Sequence, residues 1–540
     1  MPSHPTSIWN RSPNKLRQNE IWLECFYFTS LLLSSLVLFL INLGKLPLLD
    51  MNEGITAQIA KKIAQDSGTI VDWIFPTLGD KLYFAQPPLV HDLIAIAYKL
   101  AGINEFTTRL PGALLGATSV VLIYNIGREI FVARMPALFS ALVYLTCLPV
   151  VRLSRLAMLD GPLLCFELLV VWAVLRSRRD LRWSLLAGIG LGLMGLTKGI
   201  AGIPILVIVG LFLLWDTPRL LTSIYFLGGL ALGVLPYLVW YLAGEFYAYG
   251  WQTTVDWRQL VGEEIASEGW RLDLSYQYYL FDSLQYLLPW LIVMGTGIQF
   301  ASRNLHWSWG KLILVWLGVY LALVLITFNR DYWSMLPLYA ALALAAGKQL
   351  DLIRNLPSYI NYPRCWVVGF ALMTLTTLGA AMYWGVWHYI DFYLPFICGS
   401  LTITFAAAAI AIYQRDSQFI PVLFWGLFIS MFLFLISPHW IWELHATEPV
   451  KPIAELIQQH TSAQQIVYTS MTQERPSLDF YSDRQIITQN IADLQAHWQN
   501  DSNVCLLLDH NTQQKLNIPA EKIVRDAKFL SLDWILAIKK

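Results

Sequence analysis

Three groups of polar residues interrupt an otherwise apolar chain, and each suggests chemistry. The first is Asp50, Asn52 and Glu53, two carboxylates and an amide within one helical turn. A positioned carboxylate takes the proton from an attacking hydroxyl, so Glu53, and after it Asp50, are the candidate general bases. Asn52 shares their turn but has no useful basicity. The second group is cationic: Arg155, Lys198 in Gly195-Leu-Thr-Lys-Gly199, and Arg330 in Asn329-Arg-Asp-Tyr-Trp. Such cations together with carboxylates suit a phosphate-bearing lipid ligand and a base, and charges at membrane depth are usually kept for function or pairing. The third group is Tyr83, Gln86 and His91 in and after Tyr83-Phe84-Ala85-Gln86-Pro87-Pro88, with Asp160 as a further candidate. Blander accounts stand beside these. Asn52 can cap a helix with Glu53 in its first turn, and Lys198 can snorkel to an interface. Arg155 and Asp160 are not at helical spacing, so a local salt bridge does not account for both.

The elements that must position these residues are membrane helices. Of 540 residues, 56% are hydrophobic and 14% charged, against about 25% charged in soluble domains. The charge lies in short segments between long apolar runs, the pattern of an α-helical polytopic membrane protein. A net charge of zero argues against a nucleic-acid partner. The six cysteines show no metal-site spacing, and no metal ligand set is visible. Apolar runs near 22–43, 109–131, 134–151, 158–176, 182–197, 199–215, 219–243, 284–301, 309–327, 333–349, 364–386, 391–413 and 419–437 give about thirteen spans. Arginines and lysines recur in every second short loop, which places the N-terminus in the cytoplasm and the C-terminus outside it. A membrane domain is therefore expected over 1–438. Its first extracytoplasmic loop is 44–108, and that loop carries a helix over Asn52 to Ala64. A small extracytoplasmic α/β domain is expected over 439–540. Its segments are a helix over Pro449 to His460, strands at Ile466 to Thr469 and Val504 to Leu508, and a closing strand pair or a single long strand over Phe529 to Ile538.

The order of motifs resembles a known family. An acidic pair opens a long first outer loop. Tyr83-Phe-x-x-Pro-Pro88, Thr108-Arg109-Leu110-Pro111, Arg155-x-x-Met158-x-Asp160, Leu196-Thr197-Lys198-Gly199 and Leu336-Pro337 follow it. Together they resemble the glycosyltransferase C superfamily, and within it the protein mannosyltransferase and aminoarabinose transferase family. The resemblance implies a multi-pass bacterial inner-membrane glycosyltransferase, hexosyl or pentosyl. Its donor is a polyprenyl-phosphate sugar, and its acceptor is a lipid or protein hydroxyl on the outer side. The cofactor stays open: the visible motifs require none, and carboxylates and water would suit a divalent cation. Two departures mark this chain. The family's Asp-Glu pair reads Asn52-Glu53, and its Phe-Glu-Lys-Pro run reads Phe84-Ala85-Gln86-Pro87.

Two other classes share the composition. A transporter should show internal repeats and broken helices near the midplane, whereas here the polar residues gather at one face and no repeat is visible. A non-catalytic assembly or binding protein of the same fold would account for the departures at Asn52, Ala85 and Gln86.

Overall fold

In a bilayer every backbone polar group must find its partner within the protein, so apolar runs become helices. The structure, a computed structural model, describes residues 13–65, 70–79, 81–249, 285–326, 335–356, 362–387, 392–446, 449–462, 465–471, 474–500, 503–516, 518–519 and 534–539. It opens with α1 (Pro13–Leu40). The first loop then folds into α2 (Asn52–Gln65), α3 (Ile70–Ile74), the hairpin β1 (Thr77–Leu78) and β2 (Lys81–Leu82), and α4 (Leu89–Ala101). The helical body continues with α5 (Glu105–Ile130), α6 (Arg134–Leu145), α7 (Leu148–Arg155), α8 (Asp160–Ser177), α9 (Trp183–Lys198), α10 (Ile203–Asp216) and α11 (Ile224–Tyr249). It closes with α12 (Trp290–Arg303), α13 (Ser308–Ile326), α14 (Leu336–Arg354), α15 (Arg364–Met382), α16 (Tyr393–Tyr413) and α17 (Phe419–Ile436).

Each expected span contains a helix, but not each helix is long and apolar enough to cross a membrane alone. Among the described residues seven are: α1, α5, α11, α14, α15, α16 and α17. The pair α6 and α7 brings the number to eight if it forms one span, and it is bent by 59°. The bend falls where Pro149, in the first turn of α7, withholds a backbone donor and disfavours a continuous helix. The shorter apolar helices lie in α9, α10 and α13. All of these helices form one membrane body with a shared core, in which Tyr144, Trp290, Trp316, Trp366 and Trp440 are buried.

Small residues set how closely helices approach. A Cβ added at Gly188 of α9 would lie 2.0 Å from the carbonyl oxygen of Gly229 in α11. That seam fixes α11 against α9 along its length.

After α17, residues 438–446 still pack on the helical body, with Trp440 in its core. The C-terminal unit comprises α18 (Val450–His460), β3 (Val467–Thr469), α19 (Pro476–Ser482), β4 (Ile486–Thr488), α20 (Ile491–Asn500), β5 (Val504–Asp509), α21 (His510–Lys515) and β6 (Trp534–Lys539). Its strand order is β4-β3-β5-β6, with β6 antiparallel to β5 and the other pairs parallel. Val504 to Leu508 is buried on both faces, as the central strand of a largely parallel sheet should be.

Candidate functional site

Glu53 sits in the first turn of α2 and is fully buried. Its Oε1 accepts from Arg109 Nε at 2.8 Å and from the Ala157 backbone N–H at 2.8 Å. Its Oε2 accepts from Arg109 Nη2 at 2.6 Å and from the Leu49 N–H at 3.0 Å. Arg109, on α5, gives its remaining N–H groups to the carbonyls of Leu43, Leu46 and Pro47. All five guanidinium donors and the carboxylate's four acceptor positions are thus filled. The pair ties α2, α5, the start of the first loop and the turn after α7 together. A base must have a lone pair within reach of substrate, and Glu53 has none left, so its placement does not fit the general-base expectation. Arg109 was legible only as part of the Thr108-Arg109-Leu110-Pro111 motif. The further signal was a charge inside an apolar run, which demands a partner.

Asp50 and Arg155 are also committed elsewhere. Asp50 accepts from Arg475 Nε at 3.0 Å and from the Ser477 hydroxyl, both in the C-terminal unit. Arg155 is fully buried. It donates to the carbonyls of Leu38 and Ile41 at the end of α1, and its guanidinium lies 4.4 Å from the Trp440 ring centroid. It satisfies a helix C-terminus. Arg152 donates to the Trp440 carbonyl at 2.8 Å and pairs with Glu443. Asn52 opens α2 and is exposed. Arg330 lies outside the described residues.

Lys198 and Asp160 are brought together. Lys198 ends α9, Asp160 begins α8, and the ammonium donates to Asp160 Oδ1 at 2.9 Å. The lysine side chain is 30% exposed and the aspartate 11%, so this pair, unlike Glu53–Arg109, can be approached from outside. Gly199 follows Lys198 with φ +57°. A Cβ there would lie 2.9 Å from Tyr237 Oη of α11.

From Tyr237 an aromatic row leads to the first loop. Tyr237 stacks on Trp240 with centroids 6.1 Å apart. Trp240 packs on Phe84 at 6.4 Å and donates its indole N–H to the Ile74 carbonyl at 2.8 Å. Phe75 stacks on Tyr247 at 5.3 Å. Tyr83, Ala85 and Gln86 flank Phe84 in this docked loop. Tyr83 meets the His91 ring edge-on at 6.1 Å. His91 is buried in α4, and burial pushes its imidazole down to about 4, so it stays neutral. Burial pushes the neighbouring Asp92 carboxyl up to about 7, and its Oδ1 has no hydrogen-bond partner. Among the described residues no group of three or more His, Cys, Asp or Glu is placed to hold a metal ion.

The arrangement offers a reachable cation, a carboxylate that this cation now holds, and an aromatic floor beside them. That set can take an anionic head group next to a ring. The model of the dolichyl-phosphate-mannose-protein mannosyltransferase family matches residues 85–241, the stretch from the Phe84 loop through Asp160 and Lys198 to the aromatic row. An undecaprenyl phosphate-α-4-amino-4-deoxy-L-arabinose arabinosyl transferase of Pseudomonas fluorescens is 28% identical over 306 residues, covering 54% of each chain. Its counterpart from Aeromonas hydrophila is 25% identical over 354 residues, 64% of each. The chain thus spans less than two thirds of either relative. The crystal structure of ArnT from Cupriavidus metallidurans bound to undecaprenyl phosphate superposes with a TM-score of 0.74 at 16% identity, covering 94% of this chain and 97% of that one. The archaeal oligosaccharyltransferase AglB from Archaeoglobus fulgidus follows at 0.51 and 11% identity, with 90% of this chain and 70% of that one covered.

Proposed function

We propose that this chain, a multi-pass membrane protein of the glycosyltransferase C superfamily and similar to the aminoarabinose transferases, moves a sugar from a polyprenyl-phosphate donor to a lipid or protein hydroxyl. The reaction lies on the extracytoplasmic side of a bacterial inner membrane. The observation that carries this reading is the Lys198–Asp160 pair, open to approach at one end of the bundle beside the aromatic row. The relatives' printed names supply the donor class.

The chemistry follows from an exchange of partners. The donor's phosphodiester carries one negative charge and gains a second as the sugar departs, so the growing charge draws Lys198 away from Asp160. The acceptor oxygen bonds to the anomeric carbon while the bond from that carbon to the phosphate oxygen breaks. The electron pair leaves with the phosphate, where Lys198 stabilises it. The hydroxyl proton passes to Asp160, freed as the base. One displacement inverts the anomeric centre. Glu53 and Asp50 are positioning residues in this scheme. Asn52, Ala85 and Gln86 leave uncharged side chains where the motifs of the resembled family read Asp and Glu-Lys, so neutral pentoses and hexoses belong among the donors tested beside amino sugars. The full layout we propose is thirteen spans with the C-terminal unit outside the cytoplasm.

Purified protein with labelled undecaprenyl-phosphate sugars and candidate acceptors tests the activity. Transfer with an inverted product is expected. No transfer from any donor, with binding of undecaprenyl phosphate also absent, would sink the reading.

A further inference from the structure

We propose that Tyr237 is a second donor to the lipid phosphate, acting beside Lys198. The proposal rests on the donor site placed at Lys198 above and adds a binding residue to it. α9 ends at Lys198, and Gly199 turns the chain with φ +57° while its N–H donates to the Gly195 carbonyl. That conformation favours glycine. A second condition also demands glycine. An added Cβ would stand 2.9 Å from Tyr237 Oη, 3.3 Å from Cζ and 3.4 Å from Cε2. The turn after Lys198 is therefore built around the phenol, whose hydroxyl end lies at the backbone of the residue following the phosphate cation.

The seam between α9 and α11 puts it there. A Cβ at Gly233 would lie 2.6 Å from the Gly188 carbonyl oxygen, and one at Gly195 would lie 2.9 Å from Tyr237 Cβ. Gly188, Gly192, Gly195 and Gly199 on one side, with Gly229, Gly233 and Tyr237 on the other, recur at the spacing of one helix face. The seam runs toward the Lys198 end, and its last step is a phenol instead of a glycine. The ring itself is seated on Trp240, with planes 25° apart, and Trp240 is held by the Ile74 carbonyl. The hydroxyl is thus fixed before any ligand arrives, the condition under which a donor stabilises charge without reorganisation. A phosphate monoanion or dianion presents several acceptor oxygens, more than one ammonium can satisfy. A phenol O–H directed at one of them makes a charge-assisted bond.

Tyr237→Phe keeps the ring, its stack on Trp240 and its clearance from Gly199, and removes only the hydroxyl. Binding of undecaprenyl phosphate to detergent-solubilised full-length protein should weaken by roughly ten- to a hundredfold, the worth of a hydrogen bond to a charged group. KM for the sugar donor should rise more than kcat falls. Binding of undecaprenol, which lacks the phosphate, and the melting temperature should not move. Equal binding of undecaprenyl phosphate by both proteins would overturn the role of Tyr237 and leave the donor site standing. A matching loss for undecaprenol, or a lowered melting temperature, would make Tyr237 a packing residue only. Failure of the wild type to bind undecaprenyl phosphate at all would remove the donor site, and this proposal with it.

Discussion

Glu53 and Asp160 are both buried carboxylates bonded to a cation, and their neighbours separate their roles. Every acceptor position of Glu53 is filled by Arg109 and two backbone N–H groups, whereas Asp160 faces a lysine that is 30% exposed. Removing one partner of a fully buried pair strands the other and costs about 3–5 kcal/mol. Glu53→Gln should therefore lower the melting temperature in detergent markedly and lose donor binding together with the fold. A variant that melted as the wild type does while losing turnover would restore Glu53 as the base. Asp160→Asn should do the reverse. Turnover should drop by about 10²-fold or more, as loss of a general base does. Undecaprenyl phosphate binding should hold or tighten, because the Asp160 carboxylate no longer competes for Lys198. Unimpaired turnover in Asp160→Asn would exclude it as the base. The sequence showed which residue types were present near each end of the bundle and could not show who pairs with whom. Glu53 is 56 positions from Arg109, and Asp160 is 38 from Lys198. Spacing within one segment carries no information about partners that far apart.

At the scale of elements, α2 does two jobs on adjacent residues. Glu53 points into the body, and Gly54 lets α19 of the C-terminal unit come in close. A Cβ at Gly54 would lie 2.6 Å from the Ser477 backbone nitrogen. Around that contact Asp50 holds Arg475 and Ser477, Lys61 reaches Asp483 at 2.7 Å and the Phe480 carbonyl at 2.9 Å, and Tyr481 bridges Leu48 and Glu105. Gly54→Leu should loosen the C-terminal unit, read as faster proteolysis between α17 and α18 and a lower melting temperature. A protease pattern identical to the wild type would show that α19 can shift to make room.

The same interface has a pH signature. Burial, with repulsion from Glu474 behind it, pushes the Asp479 carboxyl up to about 7, against about 3.9 in an unfolded chain. Between those values the folded protein binds the proton more readily. This group's contribution to stability is therefore fully present below about 4 and lost as pH rises toward 7. Asp479→Asn should flatten that part of the melting profile and raise the melting temperature above pH 7. An unchanged slope from pH 4 to 7 would assign it elsewhere. The elements themselves were well marked in the sequence. α2 ends one residue beyond its expected limit, and α18, β3 and β5 fall within a residue or two of theirs, because apolar periodicity and Pro449 mark them locally. α4 and the bend between α6 and α7 were not foreseen. α4 owes its order to burial against α2 and α5, and the bend interrupts a run that stays apolar throughout.

The whole molecule is polarised along its bundle. At one end Glu24 joins Tyr124, Arg128 and Arg134, Glu129 joins Arg176 and Arg179, and Asp216 joins Arg178 and Lys311. These groups come from the first half of α1, from the ends of α5, α8 and α10 or just past them, and from the starts of α6 and α13, so the fold collects these basic loops at a single face, with cations in excess of the carboxylates that hold them. The other end carries the first loop, the Lys198–Asp160 pair and the C-terminal unit docked on α2. An excess of arginine and lysine in short loops is retained on the cytoplasmic side during insertion. The chain as a whole should thus stand with its basic face in the cytoplasm and its proposed site outside, where a lipid-linked donor already flipped across the membrane can reach it. An alkaline phosphatase fused to the C-terminus should be active, and a fluorescent protein fused at the same point should stay dark, since the one needs the oxidising side to fold and the other fails there after export through the general pathway. The opposite pair of results would put Lys198, Tyr237 and the C-terminal unit in the cytoplasm, and the donor would then have to be one made and consumed on that side.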